Sequence, residues 1–188
     1  MRRRAALALV LLGLAGCASL PAPPPAERVY EGRFAASARI DGKAESTAGR
    51  FVLRLGRDGA MTLDLASPLG NTLARLELGP DGARLRAPQA DGTLTEARGA
   101  DGAALTTQLL GYPLPVEGLA DWIDARPVPQ RPAVVEDAGG RIAQIEQDGW
   151  TIRVQERFED GRPRRLLFER DGATLRLVLD APPTGAAP

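Results

Sequence analysis

The chain of 188 residues is long enough for one domain with a hydrophobic core and too short for two large ones. Its 24 basic and 24 acidic side chains balance, so no basic excess points to nucleic acid as a partner. Histidine is absent, which removes the usual general base of hydrolases and the commonest zinc ligand. We therefore expect neither a catalytic nor a metal site.

The N-terminal residues 1–16 have the features of a secretory signal. Met1–Arg4 is basic, Ala5–Leu14 is apolar but too short to span a bilayer, and small residues follow. The run Leu14-Ala15-Gly16-Cys17 resembles the bacterial lipobox, in which cleavage leaves the cysteine with a diacylglyceryl thioether and an N-linked acyl chain. This resemblance implies that Cys17 is lipidated and that the acyl chains hold the protein on a membrane. The alternative is a buried free thiol at the end of a membrane anchor.

The residues that follow the cysteine bear on which membrane holds the protein and on where the folded domain begins. In enterobacterial lipoproteins an aspartate directly after the cysteine retains the protein in the inner membrane, whereas this chain has Ala18, so the resemblance implies the outer membrane. Residues 17–28 contain four prolines, and such a composition favours an extended linker. Residues 182–188 are expected to be a disordered tail, which leaves a folded domain over residues 29–181.

The dipeptide Asp-Gly punctuates this domain. It begins at positions 41, 58, 81, 91, 101, 148, 160 and 171. Asp-Gly between alternating segments is a strong hairpin signal, and seven of these pairs are expected to separate strands. Segments such as Phe51–Leu55, Met61–Leu65 and Trp150–Val154 place apolar residues on one face and polar or charged residues on the other. This alternation is typical of an antiparallel sheet that buries one face.

Two segments with helical spacing interrupt the alternation. Asp101 is placed to cap a helix in which Leu105 and Leu109 lie one turn apart, and Gly111 ends it. Pro115 lies in the first turn of a second short helix. Three apolar side chains share one face of that second helix: Leu119, Trp122 and Ile123.

These patterns predict a mainly β (α+β) fold. We expect a single antiparallel sheet of about nine to eleven strands, curved into an incomplete barrel, with the short helices as a lid over its concave face. No nucleotide-binding loop is present, and carboxylates such as Asp121, Asp124, Glu156 and Glu159 are expected to be solvated rather than paired for hydrolysis. The aliphatic interior suits acyl chains and suits an ordinary core equally well.

The turn Ser67-Pro68-Leu69-Gly70-Asn71 carries an apolar side chain where a polar one is usual. Leu69 either projects into a lipid interface or folds back onto the rim of the sheet.

Several phrases together resemble the LolB family of outer-membrane lipoprotein receptors. Their order and spacing match over roughly residues 30–179. They are the lipobox, the turn Ser67–Gly70, the segment Leu109–Val116, the segment Leu119–Ile123 and the triplet Asp148–Trp150.

The resemblance implies a half-barrel that receives triacylated lipoproteins from a LolA-type periplasmic carrier and inserts them into outer-membrane lipid. It further implies a lipid-anchored monomer on the periplasmic face, without catalysis and without a cofactor beyond the lipid on Cys17. Leu69 would be the membrane-inserting residue. The four apolar helix residues would be either lid residues that touch acyl chains or plain core: Leu109, Leu119, Trp122 and Ile123. The alternative function is a structural or scaffold lipoprotein that binds a protein partner through a sheet edge.

Overall fold

The computed structural model describes residues 28–40, 42–89, 91–110 and 113–181. The predicted signal peptide, Cys17, the linker up to residue 27 and the tail 182–188 lie outside these described residues. The first strand begins at Arg28, one residue before the predicted start of the domain.

The described residues form eleven strands and two helices. The strands are β1 (Arg28–Ile40), β2 (Lys43–Leu55), β3 (Met61–Ala66), β4 (Thr72–Gly79), β5 (Gly82–Pro88), β6 (Leu94–Gly99), β7 (Ala133–Asp137), β8 (Ile142–Gln147), β9 (Trp150–Arg157), β10 (Pro163–Arg170) and β11 (Ala173–Leu179). The helices are α1 (Gly102–Leu110) and α2 (Val116–Trp122). Among the described helices none is long and apolar enough to cross a membrane.

All strands belong to one antiparallel sheet. Its order is β6-β5-β4-β3-β2-β1-β11-β10-β9-β8-β7, so the first and last strands of the domain meet in the middle. In the described part of the chain β6 and β7 are not paired with each other, and the sheet stays open. The helices follow β6. The prediction of an incompletely closed sheet of this size, interrupted after its sixth strand, is confirmed.

Asp-Gly pairs occupy the connections between strands as predicted. Seven of their glycines have φ between +75° and +103°, a region that costs glycine little and other residues much. They are Gly42, Gly59, Gly82, Gly92, Gly149, Gly161 and Gly172. The eighth pair instead begins α1, where Asp101 Oδ1 accepts a hydrogen bond from the Ala104 amide at 2.6 Å. That bond is the predicted cap.

Two glycines allow strands to approach each other closely in the middle of the sheet. A Cβ atom at Gly32 would lie 2.2 Å from the Val178 carbonyl oxygen, and one at Gly49 would lie 1.9 Å from a carbonyl oxygen of β3. The rings of Phe51 and Phe34 cover these glycines, since each ring has a carbon 3.0 Å from the same Cβ positions. Glycines covered by aromatic rings let a sheet coil strongly without leaving voids. Such coiling is what a sheet curved into an incomplete barrel requires.

Candidate functional site: an apolar cavity under a helical cover

The helices and the segment between them are linked by hydrogen bonds. The Leu114 amide donates to Thr106 Oγ1 at 3.0 Å, and the Thr106 hydroxyl donates to the Ala103 carbonyl at 3.0 Å. The Ala103 amide also donates to Glu117 Oε1 at 2.8 Å, which joins the start of α1 to α2. Thr106 is buried, so its hydroxyl needs both partners. The described parts of α1, α2 and their connection therefore form one linked cover.

The C-terminal end of α2 is fixed by a buried amide. Trp122 donates its indole N–H to Gln147 Oε1 at 2.8 Å, and the Val128 amide donates to the same oxygen at 2.7 Å. The Gln147 Nε2 group donates to the carbonyls of Val128 and Arg131. Every polar atom of this buried side chain is thus paired, which makes the end of α2 a rigid attachment point on β8.

An apolar cavity of about 600 Å³ lies between the concave face of the sheet and the start of α2. This volume is within the ~300–1,000 Å³ typical of ligand pockets. Its lining residues come from six strands and from the cover; they are Phe34, Ala36, Lys43, Glu45, Ser46, Thr47, Phe51, Leu63, Leu65, Leu73, Ala74, Ala87, Leu114, Pro115, Val116, Leu119, Leu175 and Leu177. The interior is thus mainly aliphatic and aromatic.

The predicted helix residues fall in different places. Leu119 lines the cavity. Trp122 and Ile123 are buried, at 2% and 0% exposure, but they are not among the lining residues and pack instead in the core near the attachment of α2. Leu109 lies in α1, and its side chain is outside the described part of the chain. Of the predicted residues whose side chains are described, the structure therefore places only Leu119 against the cavity.

Most of the lining was missed by the sequence prediction, which looked only at the helices. Phe34 and Phe51 come from the inward-facing positions of β1 and β2, and Leu63 and Leu65 come from those of β3. The alternation of apolar residues identifies such positions. The alternation does not show which of these inward-facing residues line a cavity and which pack against other side chains.

The mouth of the cavity is polar on one side. Lys43, Glu45, Ser46 and Thr47 line it from the beginning of β2. Leu73, at the beginning of β4, lines the cavity and is 38% exposed. An opening with apolar depth and a polar rim can hold the apolar part of an amphiphile inside and leave its polar part in water.

Leu69 projects from a closed turn between β3 and β4. The Gly70 amide donates to the Ser67 carbonyl at 2.9 Å, the Ser67 amide donates to the Asn71 carbonyl at 2.8 Å, and Gly70 has φ of +88°. Asn71 also donates its amide to Ser67 Oγ at 3.2 Å. The Leu69 side chain is 90% exposed. The side chain therefore does not fold back onto the rim of the sheet.

Of the carboxylates considered for hydrolysis, Asp121, Asp124 and Glu156 are paired with arginines. Asp124 pairs with Arg28 at 2.9 Å and with Arg126 at 3.1 Å, and Glu156 pairs with Arg164 and Arg165. No group of three potential metal-binding side chains occurs among the described residues. These acids therefore form surface ion pairs, which contribute little to stability.

An open half-barrel with a covered apolar chamber defines a class of protein that can enclose an apolar ligand. Comparison with known proteins identifies the family: residues 28–181 match the family described as "Outer membrane lipoprotein LolB". The chain belongs to this family.

Full-length relatives carry the same name. "Outer-membrane lipoprotein LolB" of Thiobacillus denitrificans is 39% identical and is covered over 97% of its length by 96% of this chain. The protein of that name from Cupriavidus pinatubonensis is 38% identical, with 96% of each chain covered. The one from Bordetella petrii is 40% identical, over 88% of this chain and 84% of the relative. Among solved structures, a DUF1329 family protein from Desulfovibrio piger gives a TM-score of 0.49 at 10% identity over 85% of this chain and 87% of that chain, a likeness too weak to build on.

Proposed function

We propose that the protein is an outer-membrane lipoprotein receptor, anchored on the periplasmic face by lipid on Cys17. It accepts triacylated lipoproteins from a LolA-type carrier and inserts their acyl chains into outer-membrane lipid. It works as a monomer, performs no catalysis and uses no cofactor beyond its own lipid. Membership of the LolB family supports this role.

The observation that carries the proposal is the apolar cavity under α2. An acyl chain in water exposes apolar area whose hydration costs about 25 cal/mol per Å², so it needs an apolar chamber between carrier and membrane. The cavity of about 600 Å³ is the size of a pocket for one drug-sized ligand. Three acyl chains need more room, so the cover must move away from the sheet as the ligand enters.

The attachment of the cover suits such a movement. Trp122 and Gln147 fix the C-terminal end of α2, while Pro115, Val116 and Leu119 at the other end line the cavity. Because the start of α2 is hydrogen-bonded to α1, the two helices move together when the cover rotates about this attachment. Transfer is then driven by affinity alone: the cavity holds acyl chains better than the carrier does, and the bilayer holds them better still.

Leu69 acts at the release step. A leucine held 90% exposed on a hydrogen-bonded turn can enter the lipid interface, where apolar side chains are favoured. The turn directly follows β3, whose Leu65 lines the cavity, so the membrane contact and the ligand chamber are carried by the same strand.

Two measurements test the proposal. First, the purified protein without residues 1–17 is expected to bind a fluorescent fatty-acid analogue, and a triacylated lipoprotein is expected to displace it. Second, depletion of the protein in its native organism is expected to leave other lipoproteins in the periplasm, bound to a carrier. The structural or scaffold role would be favoured instead by two results together: the purified domain binds no fatty-acid analogue, and depletion leaves lipoprotein fractionation unchanged.

A further inference from the structure

One part of β2 has a neighbouring strand on only one side. β2 pairs with β1 along its whole length. On the other side β3 pairs only with Arg50–Leu55, because β3 ends at Ala66. Within the described ranges no strand pairs with residues 43–49 on that side. We call this stretch, residues 43–49, the free edge.

The direction of its backbone groups follows from the register. Alternate residues of an antiparallel strand direct their N–H and C=O groups to opposite neighbours. The Gly56 amide donates to the Ala60 carbonyl at 2.8 Å, so even-numbered positions of β2 face the β3 side. Counting back by twos through an unbroken register assigns the same direction to Ala44, Ser46 and Ala48. In the described part of the chain their N–H and C=O groups meet no backbone partner on that side.

The free edge is continuous with the cavity. Four of its residues line the cavity at the mouth: Lys43, Glu45, Ser46 and Thr47. The even-numbered residues carry only small side chains, since Ala44, Ser46 and Ala48 are all exposed alanine or serine. An extended chain that leaves the mouth can therefore approach this backbone without meeting large side chains.

We infer that the free edge binds, as an added strand, the polypeptide segment directly after the acylated cysteine of a transported lipoprotein. This inference rests on the proposed function. When the acyl chains of that cysteine occupy the cavity, the chain that follows them must leave through the mouth, beside the free edge. Extended segments that add to a sheet edge gain affinity from main-chain hydrogen bonds.

Main-chain pairing fits the task of such a receptor. It depends little on side chains, so lipoproteins of unrelated sequence are accepted alike. It also disfavours segments that lack N–H groups. The protein's own linker has prolines at positions 21, 23, 24 and 25, so it competes poorly for the free edge.

A pair of variants at one position tests the inference. Ala44→Pro removes the amide that faces the open side and leaves the bonds to β1 in place, whereas Ala44→Ser keeps that amide and adds only a hydroxyl. Ala44 is exposed and is not among the residues that line the cavity. The probe is a synthetic tripalmitoyl-cysteine hexapeptide. With that main-chain bond lost, Ala44→Pro is expected to bind this lipopeptide about fivefold more weakly. Ala44→Ser is expected to bind it like the unmodified protein.

A fluorescent fatty-acid analogue separates this inference from the proposed function. Both variants are expected to bind the analogue normally, because it fills the cavity and has no peptide. Normal binding of lipopeptide by a folded Ala44→Pro variant overturns the inference and leaves the proposed function standing. Failure of the unmodified protein to bind the analogue overturns the proposed function and the inference with it.

Hydrogen exchange of the unmodified protein gives a measurement that needs no variant. The amides of Ala44, Ser46 and Ala48 are expected to exchange more slowly when the lipopeptide is bound, and unchanged with the fatty-acid analogue. Equal exchange with and without lipopeptide contradicts the inference. Protection that rises with protein concentration alone also contradicts it, because the free edge would then be taken by a second copy of the chain.

Discussion

Tyr30, in the first strand, donates its phenolic hydrogen to the Asp124 carboxylate, with Oη 2.9 Å from both Oδ1 and Oδ2. Asp124 lies just after α2, so this bond ties the end of the cover to the middle of the sheet. Burial, together with the negative charge of Asp124 and the hydrogen bond to it, raises the pKa of the Tyr30 phenol from 10.0 to about 12, and Arg28 opposes the rise.

The raised pKa of Tyr30 gives a prediction for high pH. The folded state favours the neutral phenol, so this stabilisation is fully present below about pH 10 and is lost as the pH rises through about 12. The chain has two tyrosines, and Tyr112→Phe leaves Tyr30 as the single phenol. Phenolate absorbance is expected to report a pKa near 12 in the folded variant and near 10 in urea.

Substitution of Asp124 separates the two causes of that shift. In Asp124→Asn the pKa of Tyr30 is expected to fall only part of the way toward 10.0, because burial is the larger cause and remains. A phenol that titrates at its ordinary pKa in the folded protein would show that Tyr30 is neither buried nor bonded to Asp124.

The buried amide that holds α2 gives a second prediction. In Gln147→Ala the indole N–H of Trp122 and the amide of Val128 lose their acceptor. Each unpaired buried group costs about 1–3 kcal/mol, so the free energy of unfolding is expected to fall by at least about 2 kcal/mol. Urea denaturation measures this free energy.

Gln144→Ala, on the same strand, is the control. Its hydrogen-bond partners are exposed side chains, so the free energy of unfolding is expected to fall by about 0.5 kcal/mol or less. Equal losses in the two variants would remove the special role of Gln147.

Much of the fold follows from local sequence signals. Seven Asp-Gly turns with alternating segments between them specify hairpins, and the single helical interruption divides them after β6. The cavity could not be predicted in the same way. Leu53 and Leu63 both occupy inward positions of neighbouring strands, yet Leu53 is fully packed and Leu63 lines the cavity. Whether an inward-facing side chain contacts other side chains or lines the cavity depends on the position of the helical cover over the sheet. No local sequence pattern specifies that position.

The free edge of β2 is another feature that local signals do not reveal. The alternation around β2 and β3 predicts two paired strands. Their unequal lengths, from Lys43 to Leu55 against Met61 to Ala66, depend on where the turn at Ser67 ends the pairing. Similarly, the shared helix face of Leu119, Trp122 and Ile123 was predicted, but the partner on β8 that draws Trp122 away from the cavity is distant in sequence.

The exposed turn gives a third prediction. Leu69→Glu is expected to change the free energy of unfolding by no more than about 0.5 kcal/mol, because the side chain is 90% exposed. Binding of a fatty-acid analogue is also expected to be normal. Delivery of a lipoprotein from the receptor to liposomes is expected to stall, because a carboxylate does not enter the lipid interface.

A matched variant tests whether the loss of lipoprotein delivery depends on where the charge is placed. Val134→Glu places the same charge at another exposed apolar residue, 60% exposed on the edge strand β7, and normal delivery is expected. Delivery by Leu69→Glu at the rate of the unmodified protein would remove the membrane role of the turn. Equal stalling in both variants would assign the effect to surface charge in general.

The fourth prediction distinguishes cavity residues from core residues. Ala74 is a small residue that lines the cavity, so Ala74→Leu fills part of the space meant for acyl chains. Each buried methylene contributes about 0.8 kcal/mol. If the new side chain displaces two methylenes of the ligand from the cavity, binding of a fatty-acid analogue is expected to weaken about fifteenfold.

Ile123→Val instead removes one methylene from the packed core beside Trp122. The free energy of unfolding is then expected to fall by about 0.5–1.5 kcal/mol while ligand binding is unchanged. Fluorescence titration and urea denaturation of both variants provide the two readouts. Weakened binding in Ile123→Val at full stability would place Ile123 on the acyl chains, as a lid residue, and would require the cover to close differently around its ligand.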